Sequence, residues 1–190
     1  THPVYWKKSS DRWKRRNFDK IVFLEPNHPV VNGNWFEAEA YCQWTGRRLP
    51  TEIEWELAAS AEPAPNGNGF TSRKRIFPWG DIPDPSSYAN LNSRYLGCVE
   101  VGAFATGDSS FGCRQMIGNV WEWTASTYAP FPGFVPDPYK DYSQPWIGTR
   151  KVLRGGSWAT RGEMIRYTWR NFFTPDRRDV FSGFRTCAKP

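Results

Sequence analysis

A loop-rich α+β domain with little regular secondary structure is what this sequence predicts, on three observations. Glycine and proline each occur 16 times in 190 residues, and both interrupt hydrogen-bonded elements. Only two stretches carry both the start and the stop signals of a helix. Near the C-terminus, two short apolar runs read as strands. The length suits one domain able to bury a sizeable core, so residues 1–190 are read as a single unit.

The elements follow in order. Residues 1–33 form an extended opening segment, in which "VYW", "IVFL" and "PVV" are broken by charges, prolines and Gly33. "NWFEAEAYCQWTG" predicts a helix, with Asn34 as N-cap, Glu37 three residues on and Gly46 to end it. "LPTEIEWELAAS" predicts a second, capped by Thr51 with Glu54 completing the box, and Ile53 and Leu57 on one face. From about 61 to 115 the chain is turn-rich, and so long an irregular stretch needs internal ties, either aromatic packing or bound ions. "GNVWEWT" is read as a loop, and "YAPFPGFVPDPYKDYSQPW" as a second long one. "KVLRGGSW" and "FSGFRTC" are the closing strands.

Composition narrows the function classes. The chain is 39% hydrophobic but 17% aromatic, with 11 tryptophans. No apolar run approaches the ~20 residues of a membrane helix, and "THPVYWKKSS" shows no signal-peptide pattern. The net charge of +6 is concentrated around Trp13, in Lys7, Lys8, Arg12, Lys14, Arg15 and Arg16. A solvated basic face explains this cluster better than a nucleic-acid surface. Cys42, Cys98, Cys113 and Cys187 lie far apart, which is poor zinc spacing and too sparse for a disulfide framework. Cys42 falls inside the first helix as a small buried hydrophobe. A reducing, cytoplasmic setting is expected.

The titratable residues allow little self-contained catalysis. His2 and His28 are the only histidines, so a three-histidine iron site is impossible within the chain. No serine, histidine and acid fall into triad roles, and "GNGNGF" lacks the setting of a phosphate loop. Hard-cation sites are better supplied. Glu122, the carbonyls of Gly118 and Val120 and the Gln115 side chain offer oxygen ligands to calcium, and Asn90 with the Leu91 carbonyl offers part of another set. The competing reading has Glu122 hydrogen-bonding loop amides, with Trp121 and Trp123 in the core.

An ordered set of motifs then carries a resemblance. "RRLPTEIEWELAA" (47–59), "FPWG" (77–80), "YANLN" (88–92), "GNVWEWT" (118–124), "VLRGGSW" (152–158) and "GFR" (183–185) resemble the formylglycine-generating-enzyme/sulfatase-modifying-factor family. The resemblance spans about residues 30–187 and implies a C-type-lectin-like α+β fold, often tied by calcium. The copper-binding cysteines of the sulfatase-activating members would fall at Thr160 and Ile165, so the soft-metal chemistry is excluded. "HPVYW", "GCRQMIGNVWEWTAS", the "PGF…YKDYS" loop and "RNFFTPDRRDVFSGFR" are more similar to the C-terminal half of the ergothioneine-pathway sulfoxide synthases, the hercynine oxygenases.

That narrower resemblance implies an iron(II)- and O2-dependent joining of a cysteine-type thiol to trimethylhistidine. Iron ligands would come from a histidine-bearing N-terminal helical domain or subunit, with none in this chain, and Thr1 falls about where the second half begins. It implies a tyrosine proton donor on the loop before VLRGGSW, either Tyr139 or Tyr142. Arg170 and Asn171 would reach the pocket, although Arg170 could equally clamp a loop carbonyl. Members using γ-glutamylcysteine resemble "RNWD", and here those last two positions are Phe172 and Phe173. Loss of the acid favours cysteine or another sulfur or selenium donor. Aromatic walls would suit the quaternary ammonium of trimethylhistidine, and core packing would explain them equally. The alternative is a non-catalytic ligand-binding or display module on the same fold.

Overall fold

Local chemistry sets the two helices. In the computed structural model, which describes residues 2–190 apart from the Tyr142 side chain, α1 spans Trp35–Trp44 and α2 spans Glu52–Ser60. Each begins with a complete capping box, Asn34 with Glu37 and Thr51 with Glu54. Those reciprocal bonds satisfy amides that the first turn leaves unpaired. Gly46, at φ +69°, follows the end of α1 in the left-handed region that favours glycine.

The opening segment folds as an antiparallel meander of β1 (Trp6–Ser9), β2 (Arg12–Asn17) and β3 (Lys20–Phe23). After α2, β4 (Ala61–Pro63) and β5 (Phe70–Lys74) make a hairpin, and turns occupy most of the chain up to residue 120. The main sheet has the order β8-β7-β6-β9, from β6 (Trp121–Thr127), β7 (Lys151–Arg154), β8 (Arg170–Phe173) and β9 (Ser182–Gly183). All its pairings are antiparallel except β6 with β9.

Four expectations change here, the first being that only Ser182–Gly183 of "FSGFRTC" is strand. "WEWT" is not a loop but the start of the interior strand β6. Of "KVLRGGSW" only the first four residues are strand, because Gly155 and Gly156 turn the chain at φ +93° and +77°. A Cβ on Gly155 would meet the Met116 carbonyl oxygen at 2.7 Å, so no larger residue fits that turn. The buried side of α2 is Glu52, Trp55 and Ala59, whereas Ile53 is 70% exposed.

The core follows from the sheet's period of two. Trp121, Trp123 and Leu153 form one apolar cluster, with Trp35, Trp169, Phe173 and Phe184 against it. Further clusters gather Cys42 with Ala38 and Leu49, and Met116 with Trp55 and Ala59. Burying side chains of this size contributes roughly 1.5–3 kcal/mol each. The turn-rich middle is tied by Phe77, Ala89, Leu91, Ile117 and Ile165, which are all buried.

Candidate functional site

The opposite side of the sheet is built of charge. Glu122, Arg154 and Arg170 stand side by side across β6, β7 and β8. Two arginines directly opposite on neighbouring strands repel. Glu52, at the first position of α2, resolves the conflict: its Oε1 accepts from Arg154 Nη1 at 2.7 Å and from Arg170 Nε at 2.5 Å, and its Oε2 accepts from Arg170 Nη2 at 2.8 Å. The helix N-terminus favours a carboxylate there. Arg154, fully buried, also donates to Glu56 Oε2 at 2.9 Å and to the Tyr167 carbonyl. Burial pushes the Glu56 carboxyl up, but Lys74 and Arg154 together hold it below the usual range.

Arg170 carries this network to the long loop between β6 and β7. Both its Nη atoms donate to the Ala129 carbonyl at 3.1 Å. Its guanidinium lies 4.9 Å from the Tyr128 ring centroid and 4.3 Å from that of Phe131. Tyr128 stacks on Phe172 at 4.1 Å. The loop's base is closed where Tyr128 N donates to Arg150 O and Gly148 N to Tyr128 O. Arg170 thus ties the loop carbonyl of Ala129 to the carboxylate of Glu52.

The expected site residues gather along β8 and this loop. Asn171 shares a row with Trp123 and Leu153, and its Oδ1 accepts from the Phe172 amide. Phe173 packs beside the tryptophan cluster under the Arg177 guanidinium, 4.6 Å from its centroid. Tyr139 is 67% exposed and precedes a single 3-10 turn over Lys140–Tyr142. The Tyr142 side chain lies outside the described residues. Lys151, opposite Phe173, donates to Ala125 O and Thr127 Oγ1 and sits 4.3 Å from the Trp35 centroid. Burial holds its ammonium below the usual lysine range. Several rim rings thus already face a cation of the protein: Tyr128 and Phe131 face Arg170, Phe173 faces Arg177 and Trp35 faces Lys151.

The residues considered for calcium lie together but are engaged with one another. Both Glu122 oxygens accept from Arg185, at 2.5 and 2.7 Å, and Oε2 also accepts from Trp55 Nε1 at 2.7 Å. Gln115 Oε1 accepts from Asn119, and its Nε2 donates to Glu100 O and Ala103 O. The Gly118 carbonyl accepts from the Val120 amide. Gly118 packs so close to Asn90 that a Cβ there would meet the Asn90 carbonyl at 2.5 Å. Leu91 O accepts from the Arg94 amide, while Asn90 Oδ1 is buried without a partner. Glu122 is thus bound to a guanidinium and an indole rather than to loop amides, and Trp121 and Trp123 are buried as core.

Sequence reasoning missed Glu52, Arg154, Arg185 and Tyr128. The signal available was an arginine inside the apolar run "KVLRGG", since a buried guanidinium requires an acid partner. For iron, the chain's own donors do not fit. His2 is exposed against Trp13, and His28 stands in the wall of a different cavity. Among the described residues no group of three or more histidine, cysteine, aspartate or glutamate side chains is placed to hold a metal. None of the described helices is long and apolar enough to cross a membrane.

Residues 2–190 match the sulfatase-modifying factor enzyme 1-like domain, and the chain belongs to that family. Its fold is the family's loop-rich, C-type-lectin-like α+β architecture. A hercynine oxygenase of Mycolicibacterium thermoresistibile is 43% identical over 190 residues, covering 97% of this chain and 41% of that protein. Another, of Mycobacterium tuberculosis, is 44% identical over 186 residues, covering 97% and 42%. The chain thus spans about two fifths of the length of these curated relatives. Treponema denticola variable protein 1 superposes with a TM-score of 0.63 at 24% identity, over 88% of this chain and 73% of that one, a likeness of fold alone.

Proposed function

We propose that this chain is the lectin-like part of a hercynine-oxygenase-type sulfoxide synthase, an iron(II)- and O2-dependent enzyme that joins a cysteine-type thiol to trimethylhistidine. The observation carrying this reading is identity above 40% to named hercynine oxygenases along nearly the whole chain. In this reading the iron ligands belong to a histidine-bearing helical domain or subunit outside the chain, and iron supplies the oxygen chemistry there.

The chain's own residues would bind and orient. Lys151, opposite Phe173 in the sheet, would attract a substrate carboxylate, whereas Arg177 is already paired with Asp179. Glu52 and Arg170 would hold the loop bearing Tyr139 and Tyr142 against β8, and one phenol would hold a proton at Oη for delivery to the reacting centre. With Phe173 where an acid would grip a dipeptide's ammonium, cysteine or another small sulfur or selenium donor is the expected partner substrate.

The test is reconstitution. The chain, joined to or mixed with a histidine-bearing helical domain, iron(II), trimethylhistidine and cysteine, is expected to consume O2 and form a sulfoxide. Tyr139→Phe or Tyr142→Phe should cut turnover by roughly 10²–10⁴-fold if that tyrosine is the proton donor. Undiminished turnover in both variants removes that role. No product with any sulfur or selenium donor removes the catalytic reading and leaves a display module.

A further inference from the structure

A cavity of about 510 Å³ lies between the meander and residues 95–98, 158, 178, 179 and 181. That volume lies within the ~300–1,000 Å³ usual for small-molecule sites. None of Tyr139, Arg170, Asn171, Phe172, Phe173, Gln115 and Glu122 lines it. Its apolar wall is aromatic: Phe181 packs on Trp158 at 4.6 Å, and the Phe18 ring meets both edge-on at 6.2 and 6.3 Å.

The polar wall has a definite charge. Arg15 is neutralised by Glu25 through two bonds of 2.9 and 3.2 Å, and Asp179 by Arg177 at 2.6 and 3.1 Å. What remains is Arg16, with no ion pair among the described residues, because Arg178 is paired with Glu37. The Arg178 Nε is buried without a hydrogen bond, 3.5 Å from Glu37. His28 Nδ1, in the same wall, is also buried and unpaired. Unpaired buried polar atoms are uncommon and call for an explanation.

The backbone adds an independent observation. Phe18, at φ 54°, and Leu96, at φ 49°, line the cavity in a left-handed conformation that bulky residues rarely adopt. Both side chains stand more than half exposed at its mouth. At Phe18 the two-residue turn between β2 and β3 imposes this conformation, and it places the ring at the mouth of the cavity.

The geometry points to a second binding site, for a small aromatic monocarboxylate. Its ring would enter among Phe18, Trp158 and Phe181, and its carboxylate would meet Arg16 and Arg178. With Arg15 paired to Glu25, Asp179 to Arg177 and Arg178 to Glu37, Arg16 is left as one uncompensated positive charge, which matches a monoanion better than a phosphate. The site requires neither a metal nor a second domain, so it stands independently of the function proposed above.

Calorimetric titration of the chain with indole-3-acetate tests this, using indole-3-acetamide as the uncharged control. Saturable binding of the acid is expected, at least about tenfold tighter than of the amide. Arg16→Gln, on an exposed position of β2, should weaken the acid about tenfold while thermal unfolding is unchanged, and Arg178→Gln should act in the same direction. Equal affinity for acid and amide, binding undiminished in both variants, or no saturation by about 10 mM would overturn the assignment.

Discussion

The two faces of the main sheet are both buried, yet they are built by opposite chemistry. On one, Trp121, Trp123 and Leu153 pack with other aromatics and need only shape. On the other, Glu122, Arg154 and Arg170 alternate with them along the same strands and need partners. Apolar packing degrades by degrees when a group is trimmed. A buried ionic network fails when one member is removed, because the rest are left charged and dry. The apolar face supplies the stability, and the charged face joins α2, the sheet and the rim loop.

The largest expected effects set these faces against each other. Trp123→Ala leaves a cavity and should cost about 3–5 kcal/mol in urea unfolding. Arg154→Met preserves much of the volume, yet it should cost a similar ~3–5 kcal/mol by removing the buried cation between Glu52 and Glu56, which leaves Glu52 with Arg170 alone and Glu56 with Lys74 alone. Adding Glu52→Gln and Glu56→Gln should recover part of that loss. If Arg154→Met alone is neutral, the distinction between the faces fails.

A smaller effect is expected where the network reaches the rim. Arg170→Ala frees the Ala129 carbonyl and should cost about 1–3 kcal/mol. Limited proteolysis should then accelerate between residues 129 and 147. Arg170→Lys keeps the charge but loses the fork, so its loop should be cleaved at an intermediate rate. Equal cleavage in all three proteins would show that Arg170 does not hold the loop.

Smaller again is the acid dependence of the α2 cap. The Arg48 guanidinium and the Thr51 amide lower the Glu54 carboxyl from 4.5 to about 2. A depressed carboxyl contributes stability that is complete above its unfolded value and disappears as pH falls through its folded one. Stability should therefore drop between about pH 4.5 and 2. Glu54→Gln should flatten that slope by less than ~1 kcal/mol, since the pair is solvent-screened. A slope unchanged in Glu54→Gln would assign the acid sensitivity to the buried network instead. The smallest effect belongs to Ile53, whose replacement by glutamine should stay within about ±0.5 kcal/mol. A loss above 1 kcal/mol would return Ile53 to the core.

Ile53 also shows how far the sequence was legible. Its hydrophobicity and its spacing to Leu57 pointed inward, but α2 turns Glu52 and Trp55 to the sheet because Arg154 and Arg170 require an acid there. β6 was missed for a related reason. The alternation Trp121, Glu122, Trp123, Thr124 has a strand's period. Its flanking glycine and turns made it look like a loop, and its polar members are buried too. Around the candidate site, motifs singled out residues 170–173 and the loop of Tyr139 and Tyr142, whereas neither the strand β8 nor the Glu52 clamp was read from the sequence.

By itself, the sequence determined the two capped helices, the glycine that ends the first of them and the loop-rich class. These depend on residues within a turn or two of one another, where φ preferences and end-of-helix bonds decide the outcome. Only the tertiary structure decided which charges meet. Arg185 reaches Glu122 across 63 positions, Arg154 reaches Glu52 across 102, and Arg170 reaches the same carboxylate across 118. Strand register and the rotation of α2 create those pairs, and no local property of the chain encodes either.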